Sequence, residues 1–208
     1  MKKLLVTILL LLAATSYASH KAITDTGKEV ILHSDGTWEY SDKEQKATKI
    51  IKTNKRKFER PRDSSFLIKS KKNNSAFWIN TDKWSFNKAK FNVEAEYEFV
   101  LKGKDLYAMV VTEGIEIPPE TLTEMALENA QVVAPDAKIV KREYRVVNGK
   151  KVIYMETMGT MRGINIVYSG YYYSDASGST QFLTYTTTKL RDRYESEITD
   201  FLNGLDQQ

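Results

Sequence analysis

The sequence predicts an α+β fold, an antiparallel sheet packed with two main helices and preceded by a small N-terminal β-meander. Three observations carry this reading. Apolar residues alternate in short runs, as where Val93, Ala95, Tyr97, Phe99 and Leu101 oppose Glu94, Glu96 and Glu98. Breaks rich in Gly, Asn and Asp separate such runs at hairpin spacing. Only two segments, one after Pro118-Pro119 and one near the C-terminus, follow a helical period.

The chain opens with MKKLLVTILLLLAATSYA. Lys2 and Lys3 precede an apolar run too short for a comfortable membrane span, and Ser16 and Ala18 are small residues at a cleavage site. This is the order of a secretory signal peptide, so residues 1–18 are set aside and a mature chain beginning at Ser19, with no transmembrane span, is expected. Residues 19–42 contain GKEVILHSDGTWEY, two short strands around Ser34-Asp35-Gly36, with an earlier turn at Asp25-Thr26-Gly27. A meander this small needs a surface to pack on, and Val30, Leu32, Trp38 and Tyr40 are the expected docking residues.

Residues 43–63 are basic and lack strand alternation, so they read as an exposed linker with a helical turn around Gln45 to Lys52. The main domain, 64–208, follows. Ser64–Ser70 and Ala76–Asn80 form a strand pair. Asn92–Leu101 is half-buried, and Leu106–Thr112 is apolar on both faces and therefore central. The first helix places Leu122, Met125, Ala126, Ala130 and Val133 on one face, with Thr121 and Glu124 spaced for a capping box, and Pro135 ends it. Ile139–Val147 and Lys151–Thr160 flank Asn148-Gly149, a strong hairpin signal. Ile164–Ser174 and Thr180–Thr187 complete the strands. The closing helix, Leu190–Leu202, shows Tyr194, Ile198, Phe201, Leu202 and Leu205 as its stripe, with Gly204 as its stop.

Two resemblances accompany these patterns. Residues 24–40, TDTGKEVILHSDGTWEY, resemble a short module near the N-terminus of many exported bacterial proteins of unknown function. The larger domain, roughly 64–205, resembles the PsbP-like fold in element order, in Trp84 after an early strand pair, and in AEYEFVLKGKDLYAMVVTE, VVNGKKVIYMETMG and GYYYSDASGSTQFLTYTT. The second resemblance implies a fold and no site residues. The basic segment and the meander depart from its pattern, and fold alone does not dictate activity.

Composition narrows the function. The chain has no cysteine, which removes disulfides, thiolate metal sites and cysteine nucleophiles. Its net charge of +4 is uneven, since residues 43–62 hold nine Lys or Arg against two Glu, leaving the rest of the mature chain acidic. In an exported protein this basic run points to weak contact with an anionic membrane or glycan rather than nucleic acid. An envelope protein, periplasmic or extracellular, is expected.

No phosphate loop, nucleophile elbow or HExxH helix is present. His20 and His33 are the only histidines; a copper-binding role for His20, or for Met155, Met158 and Met161, competes with a frayed terminus and with methionine core filling. Residues three apart on a strand lie on opposite faces, which works against converging sulfurs. Tyr168, Tyr171, Tyr172 and Tyr173 form the densest aromatic group. Tyr168 and Tyr172 share one strand face, and Tyr171 and Tyr173 the other. They read as a covered central strand or as an aromatic pocket, and with Trp84 they are the candidate ligand or partner surface. The expected function is a non-enzymatic accessory or binding protein with an unidentified protein or small-molecule partner, without catalytic residues, metal or cofactor. An envelope hydrolase or a copper-binding protein is the alternative.

Overall fold

The computed structural model describes residues 20–24, 29–41, 51–90 and 92–207. The expected signal peptide, the expected turn at Asp25-Thr26-Gly27 and residues 43–50 of the basic segment, with most of its expected helical turn, lie outside them. Three sheets form. β1 (His20–Ile23), β2 (Glu29–Leu32) and β3 (Trp38–Tyr40) make the meander. β4 (Lys52–Phe58), β7 (Trp84–Lys88), β8 (Ala95–Leu101), β9 (Tyr107–Glu113), β10 (Lys138–Val147), β11 (Lys150–Met161), β12 (Ile164–Asp175) and β13 (Gly178–Thr187) form an eight-stranded sheet in the order β4-β10-β11-β12-β13-β9-β8-β7. β5 (Phe66–Lys69), β6 (Ser75–Ile79) and β14 (Leu205–Gln207) form a small third sheet.

The α+β class holds, but the fold is dominated by sheet. Its helices are α1 (Pro119–Val133), a short α2 (Thr188–Arg191), and α3 (Glu195–Leu202), which follows a 3-10 turn at Asp192–Tyr194. The main core lies on one face of the large sheet. Phe99, Val110, Tyr171 and Phe182 point there and meet Phe77 and Ile79 of the small sheet and Ile198, Phe201 and Leu202 of α3. On the opposite face, Ile153, Met155, Tyr172 and Leu183 meet Leu122 of α1.

The hairpins follow their sequence signals. Asn148 (φ 48°) and Gly149 (φ 82°) supply the two left-handed positions between β10 and β11, and Arg162 and Gly163 repeat the device between β11 and β12. The capping box is not used. Pro118 is the residue before α1 and offers no side-chain cap, so Thr121 lies inside the helix. Instead the Thr123 hydroxyl donates to the Glu120 carbonyl (2.7 Å).

Three expectations are corrected. The linker over 43–63 does not hold for residues 52–58. These form β4, which pairs parallel with β10 and makes the large sheet mixed rather than antiparallel. Phe58 is buried in the main core, Asn54 Nδ2 donates to Glu143 Oε1 (3.0 Å), and the Phe58 carbonyl accepts the Asn148 N–H (2.9 Å). An edge strand needs few apolar residues, and its lysines suit an uncovered edge, which is why alternation failed to reveal it. Trp38 does not dock the meander, being 56% exposed and packed edge-on against Tyr40, also exposed. Val30 is buried, Ile23 packs against the α1-side core, and Lys21 Nζ reaches Glu128 Oε1 of α1 (2.6 Å). The closing helix ends at Leu202, so Leu205 belongs to β14; β7 and β14, at five and three residues, were too short to register as alternation.

Candidate functional site

The site arises from a mismatch of dimensions. Eight strands at about 4.8 Å spacing span roughly 34 Å from one edge strand to the other, whereas a helix with its side chains is about 10–12 Å wide. On its face α1 leaves sheet uncovered, and the gap is a cleft of about 570 Å³. That is within the size range of small-molecule sites, about 300–1,000 Å³.

The helix stripe Leu122, Met125, Ala126 and Ala130 forms one wall, and Met109, Val111, Leu183, Ile166, Tyr168 and Tyr172 form the sheet floor. Small residues permit close packing around it. At Gly170 of β12 a Cβ would overlap Leu183 Cδ2 and stand 2.9 Å from the Phe182 carbonyl oxygen. Gly159 lets the turn after α1 approach β11, since a Cβ there would meet Ala134 and Ala137 at 3.1–3.2 Å.

The helix is tied down around the cleft. The Tyr144 hydroxyl donates to Glu120, Arg142 Nη1 donates to Thr123 Oγ1 (3.3 Å), and Gln131 Nε2 donates to the Ala137 carbonyl (3.0 Å). The Glu120 bond, then burial, push the Tyr144 phenol up to about 12. The polar lining comes from Asn92, Glu94, Glu113, Asn129, Thr157 and Gln181. Asn92 Nδ2 lies 3.4 Å from the Met109 sulfur, so the 92–94 turn roofs the β8–β9 end. Burial pushes the Tyr172 and Tyr168 phenols up, so both stay neutral. Tyr168 stacks on Tyr185 (5.3 Å between centroids), which stacks on Tyr107 (5.5 Å), extending an aromatic surface out of the cleft.

The expected site residues separate by face. Tyr168 and Tyr172 line the cleft. Tyr171 is fully buried in the opposite core, Tyr173 packs against that core, and its hydroxyl donates to Asp175 Oδ2 (2.9 Å). Trp84, expected on the candidate surface, is 4% exposed and packs at a tilt against Phe201 (4.2 Å between centroids) inside the main core. The recess it borders holds about 20 Å³, space for one water. Met158 and Met161 both line the cleft, although residues three apart on a strand were expected on opposite faces, and Met109 and Met125 join them there, while Met155 is buried under α1. His33 Nε2 lies 3.5 Å from Glu39 Oε1 in the meander, and among the described residues no three His, Cys, Asp or Glu converge to hold a metal ion.

Sequence reading missed a buried polar cluster on the main-core side. Glu156 pairs with Arg191 and accepts the Tyr154 hydroxyl, and the Arg145 guanidinium lies 3.5 Å over the Tyr154 ring and donates to Glu143 Oε1 (2.7 Å). The Tyr171 hydroxyl donates to Asn203 Oδ1 (2.8 Å). Each charge has a partner, so the cluster ties α2 to the sheet. The one signal was Glu156 inside the apolar run VIYMETM.

No family model and no curated protein matches the chain. Among solved structures, cyanobacterial PsbP (CyanoP) from Synechocystis sp. is similar over 70% of this chain and 94% of its own, with a TM-score of 0.52 and 13% identity. A protein of unknown function from Pseudomonas aeruginosa, described as a putative regulator, is similar over 60% of this chain and 83% of its own, with a TM-score of 0.43 and 14% identity. A Bacteroides thetaiotaomicron protein matches with a TM-score of 0.38 and 8% identity, over 65% of this chain and 45% of its own. The chain has a PsbP-like fold.

Proposed function

We propose that the chain is an exported envelope protein that binds a small, largely apolar molecule in the cleft between α1 and the sheet, without transforming it. The carrying observation is the cleft itself, with its ligand-sized volume, its floor of Met109, Leu183, Tyr168 and Tyr172, and a helix fixed over it by side-chain hydrogen bonds. The signal-like opening supports export, and among the described residues no helix is long and apolar enough to cross a membrane. Binding of the neutral fluorescent probe N-phenyl-1-naphthylamine tests the reading. The probe should bind the mature chain with micromolar affinity, and Ala130→Trp, which projects a ring into the space, should abolish binding while leaving the circular dichroism spectrum unchanged. A parent chain that fails to bind, or a folded Ala130→Trp chain that binds equally well, overturns it.

A second reading concerns the edge strand. Lys55, Arg56 and Lys57 of β4 are exposed on the sheet edge, which supports contact with an anionic membrane surface. Cosedimentation with phosphatidylglycerol vesicles, compared with phosphatidylcholine vesicles, should be lost in a Lys55→Gln/Arg56→Gln/Lys57→Gln chain. Equal binding to both vesicle types would refute it.

A further inference from the structure

We infer that the cleft is selective for an apolar molecule whose polar end is cationic, an alkylamine or alkylammonium, and that it disfavours anionic amphiphiles such as fatty acids. This rests on the cleft being a binding site, as proposed above, and adds which ligand chemistry it takes.

The argument is one of charge placement. Among the described residues lining the cleft there is no Lys, Arg or His, whereas Glu94 and Glu113 both border it. The wall helix adds to the bias, as α1 contains Glu120, Glu124 and Glu128 and no basic residue. Of these, Glu120 accepts the Tyr144 hydroxyl and Glu128 accepts from Lys21, so the two lining carboxylates set the sign at the mouth. Glu113 Oε1 also pairs with Lys72 Nζ (3.2 Å), whereas Lys72 itself does not line the cleft. Glu94 belongs to the turn that roofs the β8–β9 end, next to Asn92 over Met109. Meanwhile Lys52, Lys55, Arg56 and Lys57 lie on β4, the far edge strand. A carboxylate ligand seated on the apolar floor would place its charge beside two like charges with no lining cation to receive it. An ammonium would find two carboxylates and, at Tyr168, an electron-rich ring in the Tyr107–Tyr185–Tyr168 stack.

Each partly exposed charge contact changes affinity by about twofold to fivefold. With the sign reversed between ligands, about a tenfold preference is expected, and it should shrink as salt shortens the range of the field, about 10 Å at 0.1 M.

The test is displacement of N-phenyl-1-naphthylamine from the full mature chain by decyltrimethylammonium and by decanoate. Both are used below their micelle concentrations at pH 8 and low salt, with circular dichroism confirming the fold. Decyltrimethylammonium should displace at about a tenth of the decanoate concentration, and in Glu94→Gln/Glu113→Gln the ratio of the two should fall towards one. Equal displacement, preference for decanoate, or an unchanged ratio in the folded double variant overturns the charge assignment while leaving the cleft as an apolar site. Absence of probe binding in the parent chain removes the cleft reading itself, and this inference with it.

Discussion

Replacing Phe58 with alanine separates an ordered edge strand from a tether most directly. Phe58 is 5% exposed and belongs to the main core. The Arg145 guanidinium lies 4.5 Å over its ring and continues to Tyr154 at 3.5 Å, so the phenylalanine is one wall of a slot around a buried charge. Truncating a buried phenylalanine costs about 3–5 kcal/mol. In a chain of this size 1 kcal/mol moves the melting midpoint by about 2–4 °C, so Phe58→Ala should lower it by about 6–20 °C. An unpacked position would cost no more than about 0.5 kcal/mol. The assay is thermal unfolding of the mature chain followed by circular dichroism, paired with brief trypsin digestion. The parent should resist cleavage at Lys55, Arg56 and Lys57, and the variant should be cut there first. A midpoint within about 2 °C of the parent, with equal cleavage in both, would refute the assignment of 52–58 to the sheet.

Three further outcomes are expected. Trp84→Ala should cost about 3–5 kcal/mol because the ring is buried against Phe201, whereas Trp38→Ala should cost under about 1 kcal/mol because the ring is half exposed; comparable losses in urea unfolding would contradict this. Gly170→Ala should destabilise by about 1–3 kcal/mol, since the added Cβ meets the Phe182 carbonyl oxygen as well as Leu183, and an unchanged urea midpoint would show that the strands can part there. The hydrogen bond from Lys104 Nζ to Glu197 Oε1 (2.6 Å) holds the Glu197 carboxyl below its ordinary 4.5. A depressed folded-state value means that this contribution is fully present above the unfolded value and is lost as pH falls through the folded one. Lys104→Met should therefore return Glu197 towards 4.5 in an NMR titration and make unfolding between pH 5 and 3 less pH-dependent; an unmoved titration would count against the pair.

The parts of this fold legible in the sequence are those whose signal is local. Asn148-Gly149 fixed its hairpin because two left-handed positions have few solutions. The α1 stripe was readable because a long helix repeats its pattern four times. Tyr97, Phe99 and Leu101 face the main core as their alternation implied, but Val93 is 91% exposed before β8 begins and a register shift between Ala95 and Tyr97 breaks the pattern there. What escaped depends on distant partners. β4 holds one core residue, Phe58, and only β10 makes it a strand. Trp84 has the composition of a surface aromatic or a core residue, and Phe201 decides between them. For the candidate site, strand parity placed Tyr168 and Tyr172 on one side and Tyr171 and Tyr173 on the other, as observed. Which side would carry the cleft was not readable, because it follows from how much sheet one helix leaves uncovered.

The parallel pairing of β4 with β10 has a consequence for the growing chain. Lys52 meets Glu143, and Phe58 meets Val147, so β4 is synthesised long before the strand that receives it. Closing so long a loop is slow, and until β10 and its hairpin form, residues 52–58 must wait in solvent. An ordinary apolar strand waiting that long would stick to other nascent chains. Here the waiting segment is KTNKRKF, with four cations and a single aromatic. Such charges act as gatekeepers against premature β-pairing. The composition that makes this strand resemble a linker is what a strand needs if it is made first and seated last.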